Sequence, residues 1–436
     1  MKRRKFLKTV SAAGLGLVAP RRLASLKSRP TEQVVVAVMG LNGRGSVLAR
    51  TFARTPNALV AYVCDVDAQV LAKSVTQVGE AQARAPKGLG DFRRALDDKS
   101  VDALVIAAPD HWHTPAALLA MQAGKHVYVE KPCGHNAREG ELLVEAQRKH
   151  QRVVQMGTQQ RSAPRSIEVV QAIKEGAIGQ PYLARAWYAN TRATIGRGKA
   201  APVPANLDYE LWQGPAPHTP YRDNVVHYNW HWFRRWGTGE ICNNGTHEID
   251  VARWALGVDY PVRVTSVGGR YHFDDDWEFP DTQEASFEFA GGKTIIWQGQ
   301  SCNGLPTYGR ERGTTILGTT GSVVMDRDGY TVYDVKGKVV KQSLAAQAGD
   351  GLNTHADDDM TVLHIANFID AIRSGAALHQ PIEEGAKSVL LGHLGNIAQS
   401  TGRALRTDPK SGHIVGDEEA MKFWQRAYAP GWAPVV

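Results

Sequence analysis

The chain has 436 residues, too many for one ordinary domain, so two cores are the natural reading. Its composition, 43% hydrophobic and 22% charged, is that of a globular protein, with no apolar run long enough to span a membrane. The formal charge of +7 sits in residues 1–28, which hold eight Lys and Arg and no acid; the remainder carries −1. A near-neutral body excludes the electrostatic footprint of a nucleic-acid binder.

Those first residues read Lys2-Arg3-Arg4-Lys5-Phe6-Leu7-Lys8, followed by a mild apolar run from Thr9 to Ala19. Paired arginines ahead of a short apolar region resemble a twin-arginine export signal over 1–28. That implies the twin-arginine export machinery as a partner and a periplasmic or otherwise extracytoplasmic location. A disordered basic tail is the bland alternative. Cys64, Cys133, Cys242 and Cys302 are scattered, with no Cys-x-x-Cys pair, so they offer no zinc framework and no disulfide pairing can be read from them.

From Val34 the chain alternates strand-like and helix-like stretches. Strands are expected at Val34 to Met39, Leu59 to Cys64, Val101 to Ala108, Val127 to Val129 and Val153 to Gln155. Helices are expected at Ser46 to Arg54, Thr114 to Ala123 and Leu142 to Lys149. This βαβ rhythm predicts a Rossmann-type, doubly wound parallel sheet over 33–156. After residue 157 longer β-branched and aromatic strands follow: Tyr182 to Tyr188, Val262 to Gly268, Ala285 to Ala290, Thr294 to Gln300, Thr314 to Leu317, Ser322 to Met325 and Thr331 to Val335. Helical patterns at Asp358 to Arg373 and Glu383 to Arg403 close the chain. Residues 157–436 therefore read as an α+β domain on a large, mostly antiparallel open sheet. Within it, 189–240 is an irregular insertion whose many aromatics argue against disorder.

The first strand runs into Gly40-Leu41-Asn42-Gly43-Arg44-Gly45 and then a helix. Glycines between the first strand and first helix make a tight turn and let backbone approach a dinucleotide's pyrophosphate at the helix N-terminus. Asn42 stands where the second glycine of Gly-x-Gly-x-x-Gly would, and Asn tolerates left-handed backbone. Asp65 ends the second strand, where a carboxylate accepts ribose hydroxyls and repels a 2′-phosphate, favouring NAD over NADP. Arg44 and Asp67 bear on the same choice. Lys131 follows the strand that ends at Glu130; beside a cationic nicotinamide its pKa would fall, fitting it to take a proton from an alcohol.

With these motifs, Ala107-Ala108-Pro109-Asp110-His111-Trp112-His113, Gly157 to Arg161, Gly245 to Asp250 and Leu391 to Asn396, the chain resembles the Gfo/Idh/MocA oxidoreductases over nearly its whole length. The resemblance implies a Rossmann domain, a second domain whose open sheet supports oligomer contacts (a dimer or tetramer), and hydride transfer from a secondary alcohol of a sugar, polyol or glycoside to NAD(P). It puts the lysine of Glu-Lys-Pro on Lys131 and the family's histidine on His247, with Pro109, His111 and His113 flanking the nicotinamide. An acid is common in the family four residues before that histidine; here stands Asn243, which cannot titrate.

Asp250, three residues beyond His247, is either its charge partner or an acid favouring a helix N-terminus. Arg161, Asn243, Asp250, Trp230 and His231 complete the expected substrate wall, Trp230-His231-Trp232 being fitted to stack on a sugar face. No ligand spacing among the histidines supports a metal site. Because an exported enzyme has no free pool of cofactor, tightly retained NAD is expected. Two other classes stay open: a glycosidase or lyase using transient oxidation, whose relatives tend to lack Glu-Lys-Pro, and a non-catalytic sugar- or cofactor-binding protein.

Overall fold

A computed structural model describes residues 33–345 and 359–436; the 1–28 leader lies outside the described residues. The first half is built from β1 (Val34–Met39), α1 (Arg44–Arg54), β2 (Ala58–Cys64), α2 (Ala68–Gln82), β3 (Lys87–Leu89), α3 (Arg93–Leu96), β4 (Ala103–Ile106), α4 (Asp110–Gln122), β5 (His126–Glu130), α5 (Ala137–His150) and β6 (Val154–Gly157). The six strands form a parallel sheet in the order β3-β2-β1-β4-β5-β6. Strands 1 and 4 neighbour each other, so the chain reverses direction there, and a crevice opens at their carboxyl ends.

After α6 (Pro164–Lys174) and β7 (Pro181–Ala189) come α7 (Tyr209–Gln213), α8 (Gly239–Asn243) and α9 (Gly245–Leu256). Then follow β8 (Arg263–Gly269), β9 (Thr282–Phe289), β10 (Lys293–Gln300), β11 (Arg312–Gly318), β12 (Gly321–Met325), β13 (Gly329–Asp334) and β14 (Val339–Leu344). The chain ends with α10 (Asp359–Ser374), α11 (Ile382–Thr401), β15 (Leu405–Arg406) and α12 (Glu418–Met421). The second sheet has nine strands in the order β14-β13-β12-β11-β7-β10-β9-β8-β15 and is antiparallel except at β7–β10. α9 lies across it, burying Ile249, Val251, Ala252 and Leu256 with Phe287, Ile295 and Trp297.

The two sheets share helices. α10 inserts Ile365, Phe368 and Ile369 into the layer of Phe52 and Tyr128 on one face of the parallel sheet. α11 places Ile382 and Val389 on the other face, while its Leu391 and Leu394 belong to the second core. The insertion is ordered around its own cluster of Leu207, Tyr209, Trp212, Trp230, Phe233 and Trp236. It docks on the end of β2: Ala68 N–H donates to Asn206 O at 2.8 Å, Asn206 Nδ2 to Asp67 Oδ2 at 2.8 Å, and His227 Nε2 lies 2.9 Å from the same oxygen.

Candidate active site

One cavity runs from the carboxyl end of β2 across the glycine turn to the first turn of α9. Gly40, Asn42, Gly43, Arg44, Asp65, Pro109, His113, Glu130, Lys131, Trp230, His231, Asn243 and His247 all line it. The turn is shaped by missing side chains. Gly40 has φ +79°, and a Cβ there would meet the Ala108 backbone at 2.5 Å; a Cβ on Gly45 would lie 1.7 Å from Gly40 O. The left-handed residue between them is Gly43, at φ +58°, and not Asn42 as the spacing suggested. Gly45 thus supports the turn from behind rather than facing the cavity.

Asp65 closes one end of the cavity. Its Oδ2 accepts the Leu41 N–H at 2.7 Å and its Oδ1 the Asp67 N–H at 2.9 Å. Burial raises its pKa against those two bonds. Turn, helix N-terminus and strand-end carboxylate have the arrangement that holds a dinucleotide's pyrophosphate and ribose, so the residues present fit NAD. His227, Tyr228, Trp212 and Leu211 of the insertion wall the same cavity.

At the other end, Lys131 Nζ donates to Asn243 O at 2.8 Å and to Asn243 Oδ1 at 3.1 Å. Burial lowers its pKa, opposed by Glu130 and Asp110. The Glu130 carboxylate is engaged by other donors: its Oε1 accepts Arg44 Nε at 3.0 Å and Gln159 Nε2 at 2.9 Å. Gly157 makes room for this carboxylate, since a Cβ there would lie 2.7 Å from Glu130 Cδ. His247, in the first turn of α9, is held well below the ordinary imidazole pKa by burial and then by Arg327, Lys131, Arg312 and Arg44. Its imidazole lines the cavity. His231 stacks on Trp230 with ring centroids 3.6 Å apart and has its pKa pushed down to about 3 by burial.

Arg161, Asp250 and His111, expected in the site, lie outside the cavity. Asp250 does not face His247: Arg161 Nε and Nη2 donate to its two oxygens at 2.7 and 2.9 Å, and Ser388 Oγ and Gln380 Nε2 donate at 2.6 and 2.9 Å. The pair is 7% and 1% exposed and lines no part of the cavity, so Arg161 and Asp250 tie the turn after β6 to α9 and α11. The spacing of three leaves the two residues on one side of α9, but the buried Asp250 carboxylate is taken up by Arg161, Gln380 and Ser388 in the core. His111 is also buried outside the cavity, its Nε2 2.9 Å from Trp212 O, and anchors the insertion to α4. His113 lines the cavity, but both its nitrogens are taken, by Pro132 O at 2.6 Å and Ala108 O at 2.7 Å; it staples the β4–α4 loop to the lysine loop.

The cavity also holds residues that sequence reasoning did not single out: Tyr188 and Asn190 at the end of β7, Arg192, Tyr228 and Arg327. Arg192 Nε donates to the buried Glu240 at 2.9 Å and its Nη1 and Nη2 to the Tyr228 and Tyr188 hydroxyls. The end of β7 was the available signal, because it was a recognised strand leading into the insertion.

Two family models match the chain: "Oxidoreductase family, NAD-binding Rossmann fold" over residues 14–158 and "Oxidoreductase family, C-terminal alpha/beta domain" over residues 186–433. The chain is 32% identical over 199 residues to a glycosyl hydrolase family 109 protein of Saccharopolyspora erythraea, covering 41% of this chain and 43% of that protein. It is 26% identical over 321 residues to an inositol 2-dehydrogenase of Rubrobacter xylanophilus, covering 72% of this chain and 76% of that one. Its fold superposes on that of levoglucosan dehydrogenase in complex with NADH with a TM-score of 0.67 at 18% identity, covering 86% of this chain and 99% of the other. With both domain models matched and the glycine turn, strand-end acid, Lys131 and His247 gathered in one cavity, the chain belongs to the Gfo/Idh/MocA oxidoreductase family.

Proposed function

We propose that this protein is an exported oxidoreductase that removes hydride from a secondary hydroxyl carbon of a sugar, polyol or glycoside, with NAD rather than NADP retained between turnovers. The observation that carries the reading is the placement of Lys131 and His247 at one end of a cavity whose other end is the glycine turn and Asp65. Bound NAD supplies a hydride acceptor. Asp65 would hold the ribose hydroxyls and disfavour a 2′-phosphate. The aromatic insertion, docked on Asp67, favours slow cofactor release.

The proton is handled by the chain. A neutral lysine amine has two N–H donors and one lone pair. Asn243 O and Oδ1 accept the two donors, which leaves the lone pair for the substrate hydroxyl. Asn243 also explains why the lysine is the base here: an acid in its place would stabilise the ammonium and raise its pKa, whereas the amide holds the nitrogen without charge. His247, kept neutral, receives or relays the same proton. Trp230, His231 and Tyr228 form the wall on which a sugar ring would lie.

Transient oxidation is the second reading, favoured by the likeness to a glycosyl hydrolase family 109 protein. There the hydride would return after the glycosidic substituent has left. The test of the cofactor claim is mass spectrometry of nucleotide released from protein purified without added cofactor. NAD at near one per chain is expected; NADP, or none, would count against it. Export is checked by replacing Arg3 and Arg4 with Lys and fractionating cells: retention in the cytoplasm is expected, and unchanged export would contradict a twin-arginine signal. Homo-oligomer formation, as a dimer or tetramer, is read by light scattering.

A further inference from the structure

A second cavity, of about 480 Å³, shares no lining residue with the cofactor site. It lies where four segments meet: the loop just past Lys131, the insertion, the loop between β8 and β9, and the C-terminal tail. Arg234, Arg235, Arg426 and His135 line it, and Glu278 is the one acid among the lining residues. Its size falls in the range of small-molecule sites.

The donors there are poorly supplied with acceptors. Arg426 has a side chain 10% exposed; its Nε donates to Glu139 Oε1 at 2.8 Å and its Nη2 to His111 O at 2.7 Å. Its Nη1 is buried without a hydrogen-bond partner, and the His135 ring nitrogens are buried with the Arg234 backbone beside them. Arg235 Nη1 donates to Pro217 O at 2.8 Å, and Arg234 donates from Nη1 to Ser400 Oγ at 3.0 Å and from Nη2 to Glu278 O at 3.4 Å. Glu278 is occupied, its Oε2 accepting the Arg234 backbone N–H at 2.6 Å. Counting Glu139 and Glu278 against the three guanidinium groups leaves positive charge in excess. Burial, and after it the Arg426 charge, hold His135 well below the ordinary imidazole pKa.

A buried donor without an acceptor is a standing cost that a bound oxyanion removes, and guanidinium forks match phosphate oxygens. We propose that this cavity is a second ligand site for a phosphate group, either free orthophosphate or the phosphoryl end of a small organic monoester. Arg426 Nη1 and His135 would take the buried oxygens, and Arg234 and Arg235 would close over the outer ones.

The test is calorimetric titration of the full chain saturated with NAD, which keeps phosphate off the glycine turn. Orthophosphate and phenyl phosphate are the two probes, and salt should weaken both. We expect one saturable site per chain. Arg234→Gln with Arg235→Gln should weaken it about tenfold, or 1.4 kcal/mol. Arg426→Lys, which keeps a charge on Glu139 but removes the fork, should weaken it too. Each variant is used only if its thermal midpoint matches the parent. Tighter binding of phenyl phosphate assigns the site to an organic ester; equal binding assigns it to free phosphate. No saturable binding at millimolar probe, or binding unchanged in both variants, overturns the proposal.

Discussion

The glycine turn and the aromatic insertion face each other across one cavity and are built on opposite terms. The turn works by absence: at Gly40 and Gly45 any side chain would strike backbone. The insertion works by bulk, with Trp212, Trp230 and Trp236 packed into a cluster of their own. One presents backbone at a helix N-terminus, the arrangement that suits a pyrophosphate. The other is held in place by a few distant contacts, Asp67 with His227 and His111 with Trp212 among them. The turn is therefore fixed by backbone packing, while the insertion is held by several hydrogen bonds to the end of β2 and to α4.

The strongest way to break that division is at the residue where the two sides meet. Lys131→Met should lower kcat by about 10²- to 10⁴-fold, the usual range for a lost general base, while NAD stays bound. Loss of NAD in this variant would mean that the lysine belongs to the cofactor side alone. Asp250→Asn attacks the scaffold instead. Burial opposes ionisation of this carboxyl, and the Arg161 charge and hydrogen bonds outweigh it, keeping its pKa below the ordinary carboxylate range. Its contribution is thus present above the unfolded pKa and lost as pH falls through the folded one. The substitution should cost about 3 kcal/mol of stability, seen in denaturant melts, with KM unchanged. A raised KM at unaltered stability would restore Asp250 to the substrate wall.

Asn243→Asp sharpens the comparison by putting a charge beside the lysine. A carboxylate favours the ammonium, so the rising limb of the kcat/KM–pH profile should move up by about 1–3 units. A limb that does not move would exclude Lys131 as the titrating base. His227→Ala should have the smallest effect, about 1 kcal/mol, read as several-fold faster NAD release. If release is unchanged, the insertion does not retain the cofactor.

The same contrast explains what the sequence disclosed. Parallel strands, the turn, Asp65 and Lys131 were legible from local pattern at strand ends, whereas His247 was pointed to only by the resemblance to the family. β3, of three residues, and α2, which starts at the Asp67 cap on Gln69 and Val70, are not among the elements expected from the sequence. Asn190, Arg192, Tyr228 and Arg327 reach the cavity through long-range folding of β7, the insertion and the β12–β13 turn, which no spacing encodes. Arg161 and Asp250 were misread for a related reason. Both sit inside motifs that carry chemistry, yet they face each other across the core rather than the ligand.

The most direct measurement is near-ultraviolet absorbance of the bound nicotinamide while a panel of sugars, polyols and aryl glycosides is added to the purified protein and to Lys131→Met. The account predicts that one substrate class reduces the nucleotide on the parent protein and that the variant keeps its NAD but does not reduce it. Glycoside cleavage with no net absorbance change would transfer the site to transient oxidation. Equal reduction by both proteins, or no nucleotide on either, would contradict the assignment of Lys131 and the cavity to hydride transfer.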